Sequence, residues 1–462
     1  MTELLQQVRV IDPVSGIDKI ADVLIVDGYI EAIGSSLNDI NSDTNVRDCR
    51  GLILGTGLVD LYSHSGEPGF EDRETLRSLL KAAAAGGFTR ITILPDTSPA
   101  IDNPALVARL QQLREREIKE TGIKEKEINT PHLHIWGAIT QDVKGQQMTE
   151  LAELAHAGVV GFADGQPLNH LGMIKRVLEY AQPLGKPVAL FPCDRQLMSN
   201  GVMREGVDSI RFGLPGNPET SETAAIAVLI ELVASTQTPI HIMRVSTARS
   251  VELIASAKAS GLPITASTTW MHLLLDTKAV KSYHTSLRLE PPLGNPKDKQ
   301  ALREAVKSGI IDAIAIDHTP YSYEEKTQTF AESPSGAIGL ELALPLLWQH
   351  LVETGEFTAL ELWQALSNRP AQCLGIKSNS ITPGQPTELT LFNPQQSWKI
   401  DSKNIYTLCR NTPWLGQQLT GKVLGTWCNF DTREETLINI QTTISDQKNL
   451  SKGAHFLNAI RN

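Results

Sequence analysis

The sequence predicts an α/β protein built on a (β/α)8 TIM barrel, with a small discontinuous β domain formed by both ends of the chain. Three observations predict this: a length of 462 residues, β-type segments near both ends, and strand-like runs alternating with helical patterns between them. A chain of this length is too long for one ordinary core, so a large domain and a smaller one are expected.

The ends of the chain carry strand and hairpin patterns. Residues 8–34 form short β-branched runs punctuated by Asp-Pro and Asp-Gly, and residues 387–392 and 421–427 repeat this style. Chain termini tend to lie close together, so residues 1–54 and 375–430 are predicted to form one domain. Residues 431–462 are predicted to be a polar C-terminal tail.

Residues 55–374 are predicted to form the barrel, because roughly eight β-α units fit the usual size of this fold. The apolar strand-like runs lie at 58–61, 91–94, 134–139, 159–162, 188–191, 240–245, 264–266 and 311–316. The highly charged stretch 114–127 is predicted to be a solvated helix end or loop. Periodicity alone also permits a doubly wound sheet.

Composition limits the classes of function. The chain has 42 Lys and Arg against 52 Asp and Glu, and a formal charge of −10 argues against nucleic acid as a partner. No apolar run reaches membrane-spanning length and the start lacks a secretory pattern, so a cytoplasmic protein without membrane contact is predicted. The cysteines are odd in number and lack C-x-x-C, which predicts reduced structural thiols: Cys49, Cys193, Cys373, Cys409 and Cys428.

Residues 57–69 read G-L-V-D-L-Y-S-H-S-G-E-P-G, which resembles the first-strand signature of dihydroorotases, G-L-V-D-L-H-x-H-L-R-E-P-G. Further segments match in the family's order: 82–89, 95–102, 137–140, 161–165, 245–250, 291–293, 312–320, 339–346 and 411–414. The resemblance covers about residues 8–430. The chain is therefore identified as a degenerate member of the dihydroorotase family, in the amidohydrolase superfamily.

This resemblance implies a barrel holding one or two zinc ions that opens or closes the cyclic amide of dihydroorotate in pyrimidine biosynthesis. Zinc lowers the pKa of bound water to roughly 7 and so supplies a nucleophile. The family's ligands are His-x-His on the first strand, an Asp after a later strand, two further histidines, and a last-strand Asp that also moves the proton.

Only some of these ligands are present in this chain. His64, Asp164 and Asp317 occupy retained ligand positions, and Asp317 is the residual candidate for a general base. The other three histidine positions are occupied by residues that are poor metal ligands at neutral pH: Tyr62, Pro192 and Arg244. The resemblance therefore implies no bound metal or other cofactor.

Arg244 would oppose a metal directly. A guanidinium ~4 Å from a dication would repel it by roughly 8 kcal/mol at an effective dielectric of about 20. We therefore predict that Arg244 occupies the space of the missing metal and pairs with Asp164 or Asp317.

The positions that the family uses for substrate are altered as well. The first-strand Arg is replaced by Gly66, and the Asn of P-N-T is replaced by Asp96. Glu290, Gly294 and Tyr321 stand where the family has Asn, Arg and His. A pocket that attracts a dicarboxylate in the family is expected to repel it here.

Two hypotheses follow. In the first, the chain is catalytically inactive and has a structural or regulatory role, such as supporting aspartate carbamoyltransferase, because inactive homologues play that part in some bacteria. In the second, it is an active, zinc-dependent dihydroorotase or related cyclic amide hydrolase with unorthodox ligands. A homo-oligomer is expected in either case.

Overall fold

The structure is a computed structural model that describes residues 2–37, 43–124 and 130–429. The predicted tail, 431–462, lies outside the described residues, as does the 125–127 part of the charged stretch. The beginning of that stretch belongs to a helix, Pro104–Lys124.

The described strands fall into a terminal set, which comes from the two ends of the chain, and a central set that lies between them in the sequence. They are β1 (Thr2–Asp12), β2 (Ile17–Val26), β3 (Tyr29–Gly34), β4 (Asn45–Asp48), β5 (Ile53–Thr56), β6 (Leu58–Ser63), β7 (Phe88–Ile93), β8 (His132–Gly137), β9 (Gly161–Ala163), β10 (Val188–Leu190), β11 (Met203–Arg204), β12 (Gly216–Asn217), β13 (Ile240–Ile242), β14 (Ile264–Thr269), β15 (Ala313–Ala315), β16 (Glu388–Lys399) and β17 (Gln418–Cys428).

Helices connect most of the strands in the central set. They are α1 (Leu76–Ala85), α2 (Pro104–Lys124), α3 (Leu151–His156), α4 (Leu171–Ala181), α5 (Arg195–Met198), α6 (Val207–Phe212), α7 (Thr220–Thr236), α8 (Ala248–Ala259), α9 (Trp270–Leu274), α10 (Pro296–Ser308), α11 (Tyr323–Lys326), α12 (Ala343–Leu347), α13 (Ala359–Trp363) and α14 (Arg369–Cys373). Wider, π-helical turns continue α12 and α13.

The two ends of the chain form one sheet. Its strand order is β17-β16-β5-β1-β2-β3, with β4 paired to β1. The antiparallel pairing of β16 with β5, in which Leu391 lies opposite Leu54, joins the C-terminal strands to the N-terminal ones. Both leucines are buried in a separate core cluster of this sheet. The prediction of a β sheet built from both chain ends is therefore confirmed.

The central strands form a nearly closed barrel. Eight parallel strands follow the order β6-β7-β8-β9-β10-β13-β14-β15. The first and last strands, β6 and β15, are joined near their carboxyl ends by two backbone hydrogen bonds. The Asp317 amide donates to the Tyr62 carbonyl at 3.1 Å, and the His64 amide donates to the His318 carbonyl at 2.8 Å. This closure confirms the predicted (β/α)8 barrel and excludes the doubly wound sheet.

Side chains fill the inside of the barrel. Val59, Leu61, Trp136 and Met243 belong to one buried cluster, which also contains residues of α14. Trp136 Nε1 donates to the Leu61 carbonyl at 2.9 Å, so the buried indole has a partner. The filled interior leaves the carboxyl ends of the strands as the place for a site, as in other barrels of this kind.

Two further predictions concern the whole chain. Across residues 2–37, 43–124 and 130–429, the structure contains no helix with the length and apolar character needed to cross a membrane. The five cysteines are all buried and free.

Candidate functional site

The mouth of the barrel brings Arg244 and Asp317 together. They follow β13 and β15 closely, and both adopt left-handed backbone conformations, with φ of 53° and 52°. This region is unfavourable for residues other than glycine and is often retained at functional sites. Strained backbone after β13 and after β15 therefore accompanies the contact between the two side chains.

Arg244 and Asp317 form a bidentate ion pair. Nε of Arg244 donates to Oδ2 of Asp317 at 2.9 Å, and Nη2 donates to Oδ1 at 2.6 Å. The remaining nitrogen, Nη1, donates to the carbonyl of Gly165 at 3.0 Å. The Arg244 side chain is only 5% exposed, so the charge is held away from bulk water. Two parallel charge-assisted bonds fix the guanidinium in one orientation.

His64 extends this pair into a cluster of four charged or polar side chains. Its Nδ1 lies 2.6 Å from Oδ2 of Asp96. Its Nε2 lies 3.2 Å from Nη2 of Arg244 and 3.7 Å from Oδ1 of Asp317. We call Asp96, His64, Arg244 and Asp317 the mouth cluster. Two carboxylates and a guanidinium surround the imidazole, so the charges in the cluster are largely balanced within it.

The pKa values of the mouth cluster follow from these contacts. Burial alone would raise the pKa of Asp317, but the charge of Arg244 and the bonds to it and to His64 lower that pKa to about 2. Burial would likewise lower the pKa of His64, but Asp96 and Asp317 raise it to about 9. Asp317 is therefore ionised at neutral pH and the cluster favours a protonated imidazole.

Aromatic side chains cover the guanidinium. The ring centres of Tyr62 and Phe191 lie 5.6 Å and 5.1 Å from Cζ of Arg244. The Tyr62 hydroxyl accepts from the Arg244 amide at 3.1 Å and lies 2.8 Å from Oγ of Ser267. Burial raises the pKa of Tyr62 above its usual value, so the phenol stays protonated. These contacts stabilise the position of Arg244 in the barrel mouth.

Asp164 has a different role from the mouth cluster. Its Oδ1 accepts from the amides of Ile139 and Thr140 at 2.8 and 3.1 Å, and its Oδ2 accepts from the Thr140 hydroxyl at 2.6 Å. Burial raises its pKa to about 6. Of the two carboxylates predicted to pair with Arg244, only Asp317 does so, while Asp164 fixes the segment that follows β8.

Comparisons with known proteins assign the chain to a family. A model described as Dihydro-orotase-like matches residues 51–250, and a model described as Amidohydrolase family matches residues 195–432. A probable dihydroorotase-like protein of Synechocystis sp. is 44% identical over 92% of this chain and 99% of its own. The dihydroorotase of Pelotomaculum thermopropionicum is 38% identical over 91% of this chain and 96% of its own. The chain belongs to the dihydroorotase-like family of amidohydrolases.

Solved structures agree with the fold of this dihydroorotase-like chain. The L-hydantoinase (dihydropyrimidinase) of Arthrobacter aurescens superposes with a TM-score of 0.76 at 19% identity, over 92% of this chain and 96% of the other. The dihydropyrimidinase of Brevibacillus agri gives 0.75 at 21% identity, over 93% and 96%. At such identities the likeness supports the barrel architecture alone. The family predicted from the sequence motifs is confirmed by the closer relatives.

The residues predicted to stand at the dihydroorotase ligand positions do not fit a zinc ion. Both oxygens of Asp317 accept from Arg244, and both oxygens of Asp164 accept from the segment after β8. His64 has no free lone pair in either state: neutral Nε2 accepts from Arg244, and protonated Nε2 carries hydrogen. Across the described part of the chain, no group of three or more His, Cys, Asp or Glu side chains could hold a metal.

The glycines predicted to stand at the family's substrate positions leave little room for a larger side chain. A Cβ added to Gly66 would lie 2.2 Å from the Glu74 carbonyl oxygen, so no larger side chain fits there in this conformation. At Gly294 an added Cβ would lie 2.6 Å from Cβ of Asp298. The two glycines predicted to stand at arginine positions therefore pack closely against neighbouring backbone and side chains.

The remaining altered positions lie around the mouth. Glu290 accepts from the Ser335 hydroxyl at 3.4 Å and lies 3.7 Å from Arg195. The Tyr321 ring centre lies 4.9 Å from Cζ of Arg73. Asp96, Glu290 and Tyr321 line the mouth cavity, whereas Pro192 lines a separate cavity between α4 and α7.

Three contributors to the site were missed from the sequence: Gly165, Phe191 and Ser267. The Gly165 carbonyl and the Phe191 ring both adjoin matched family positions, which is the signal that could have indicated them. Ser267 lies on β14 and contacts Tyr62 of β6. No local motif marks it.

Proposed function

We propose that this dihydroorotase-like chain is catalytically inactive and has a structural or regulatory role in pyrimidine biosynthesis. The observation that carries the proposal is the bidentate pair of Arg244 with Asp317, within 3.2 Å of His64. A fixed guanidinium takes the place that a water-activating cation needs, and it uses the carboxylate that would otherwise act as general base.

The size of the mouth cavity supports the same proposal. The cavity lined by His64, Asp96, Arg244 and Asp317 has a volume of about 90 Å3. Pockets that hold small molecules usually have about 300–1,000 Å3. A cyclic substrate would have to displace the charged side chains that fill the mouth.

As the role of an inactive barrel, we propose support of aspartate carbamoyltransferase by direct association. The support for this partner is the family resemblance together with a fold that is complete around an altered site. In this proposal the chain contributes an outer surface, and a homo-oligomer is the expected form of the barrel.

A second candidate function is hydrolysis of a cyclic amide. It is favoured by the names of several relatives, including the dihydroorotases of Pelotomaculum thermopropionicum and Syntrophus aciditrophicus, at 38% and 36% identity. It is also favoured by the presence of His64, Asp164 and Asp317 at family positions. For this function Arg244 would have to leave the mouth and a metal would have to enter.

Metal content and activity together distinguish the two functions. Protein purified without chelator is expected to contain well below one equivalent of zinc, iron or manganese, and to open dihydroorotate no faster than a boiled sample. Stoichiometric metal together with metal-dependent turnover would establish the second function instead.

Association is tested by mixing the purified chain with aspartate carbamoyltransferase from the same organism and measuring mass by light scattering during gel filtration. We expect one peak whose mass equals the sum of both components. Separate elution at micromolar concentrations of both proteins would contradict the proposed partner. It would not bear on the proposal that the chain is catalytically inactive.

A further inference from the structure

A second cavity lies between the barrel and the β sheet. It has a volume of about 410 Å3, within the range of small-molecule sites, and is bounded by α1, α12, the end of β16, β17 and the segment 403–406. Among the described residues it shares no lining residue with the mouth cavity. We call it the junction cavity.

Lysines from three different parts of the fold line the junction cavity. Lys81 lies on α1, Lys403 lies on the segment after β16, and Lys422 lies on β17. Nζ of Lys422 lies 5.6 Å above the ring of Trp398, which lines the same cavity. The ammonium groups of Lys403 and Lys422 add positive charge to the wall of the cavity, and this charge attracts anions.

The one carboxyl among the described lining residues does not cancel this potential at neutral pH. Both oxygens of Glu341 accept backbone amides, from Tyr406 at 2.8 Å and from Thr407 at 3.2 Å. Burial, with a smaller contribution from the charge of Glu74, raises the pKa of Glu341 to about 8 despite these bonds. Glu341 therefore holds one wall of the cavity in place and is mostly uncharged.

The part of the wall formed by Trp398 is fixed as well. Trp398 is 9% exposed and its Nε1 donates to the Gly421 carbonyl at 2.8 Å. Pro345 and Tyr406 also line the cavity, and Tyr406 is 47% exposed. The cavity thus combines cationic groups with aromatic and apolar surface that is already in position before a ligand binds.

We propose that the junction cavity is a binding site for a small organic polyanion of the nucleoside triphosphate class. The lysines bind its phosphates, and its base lies against the aromatic and apolar wall. This inference is independent of the proposed function, because it uses none of the mouth residues.

Isothermal titration of the full chain with ATP and, separately, with inorganic tripolyphosphate tests the site. We expect saturable binding of ATP, weaker binding of tripolyphosphate, and a loss of about tenfold in ATP affinity for each of Lys403→Gln and Lys422→Gln. Lys297→Gln on α10 removes the same charge from an exposed position outside the cavity and should leave the affinity unchanged.

Three results would overturn the proposal. One is the absence of ATP binding at millimolar concentration, with the fold verified by circular dichroism. Another is an equal loss of affinity in all three lysine variants, which would indicate attraction by net charge alone. The third is binding of tripolyphosphate as tight as that of ATP, which would show that contact between the base and the aromatic wall contributes nothing to affinity.

Discussion

At the residue scale, Arg244, which is predicted to stand at a histidine position of the family, sets the electrostatics of the barrel mouth. A metal site gathers carboxylates and imidazoles around a cation that arrives from solvent, whereas here the cation is part of the chain. Asp317 stays ionised because Arg244 lowers its pKa to about 2, in a place where burial alone would raise it. The carboxylate of Asp317 is therefore paired with a cation of the chain itself.

Removal of the guanidinium should destabilise the fold. Arg244→Ala leaves Asp317 buried without its bidentate partner, and breaking a buried pair from one side costs about 3–5 kcal/mol. Urea unfolding at pH 7 measures this loss. Arg249→Ala is the matched control, because it breaks an exposed pair with Glu252 that contributes about 0.2–1 kcal/mol. Equal losses in both variants would contradict the account.

A second prediction at this scale concerns Glu341, whose folded pKa is raised to about 8, mainly by burial. A raised folded pKa gives stability that is present below the unfolded value of about 4.3 and is lost as the pH rises through the folded value. Wild-type stability should therefore fall between pH 5 and pH 8 relative to Glu341→Gln, by roughly 1.4 kcal/mol per pH unit at most. Parallel urea-unfolding profiles for the two proteins over this interval would show that Glu341 ionises freely.

At the element scale, β5 joins the two halves of the β sheet and also packs on the barrel. It pairs with β1 on one side and β16 on the other. Trp363 of α13 lies over it, and its Nε1 donates to the Thr56 carbonyl at 3.0 Å. This strand therefore connects the β sheet to the last helices of the chain.

A methyl group added where β5 contacts Trp363 should lower the stability of the fold. In Gly55→Ala the new Cβ would lie 2.0 Å from Nε1 of Trp363, so backbone or indole must shift, at a cost of about 1–3 kcal/mol. Gly425→Ala, on β17 of the same sheet, meets its nearest neighbour at an ordinary 3.6 Å and serves as the control. Thermal unfolding compares the two variants. A Gly55→Ala midpoint no lower than that of Gly425→Ala would show that Trp363 yields easily.

The elements themselves could be predicted from the sequence, because parallel barrel strands are short apolar runs bounded by helical patterns. The contact between Arg244 and Asp317 could be predicted since both follow barrel strands at matched family positions. The partners of Asp164 could not, because they depend on how residues after two neighbouring strands align. The bond between His64 and Asp96 was also missed, although each follows a strand at the same barrel mouth.

At the scale of the whole molecule, a barrel that carries its own cation should not need a metal for stability. We expect a chelator, or zinc at a concentration that does not precipitate the protein, to change the thermal midpoint by less than about 1 °C. The reason is that a ligand stabilises a protein only by binding to its folded state. Differential scanning calorimetry measures both arms. A midpoint lowered by chelator and restored by zinc would reveal a structural metal.

The central claim is that the guanidinium of Arg244 occupies the position of the family's metal. A crystal structure of protein grown with zinc, with anomalous diffraction recorded at the zinc absorption edge, tests it most directly. The account predicts Arg244 paired with Asp317 and no anomalous peak between His64, Asp164 and Asp317. An occupied zinc peak at that position, with Arg244 turned out of the mouth, would contradict it.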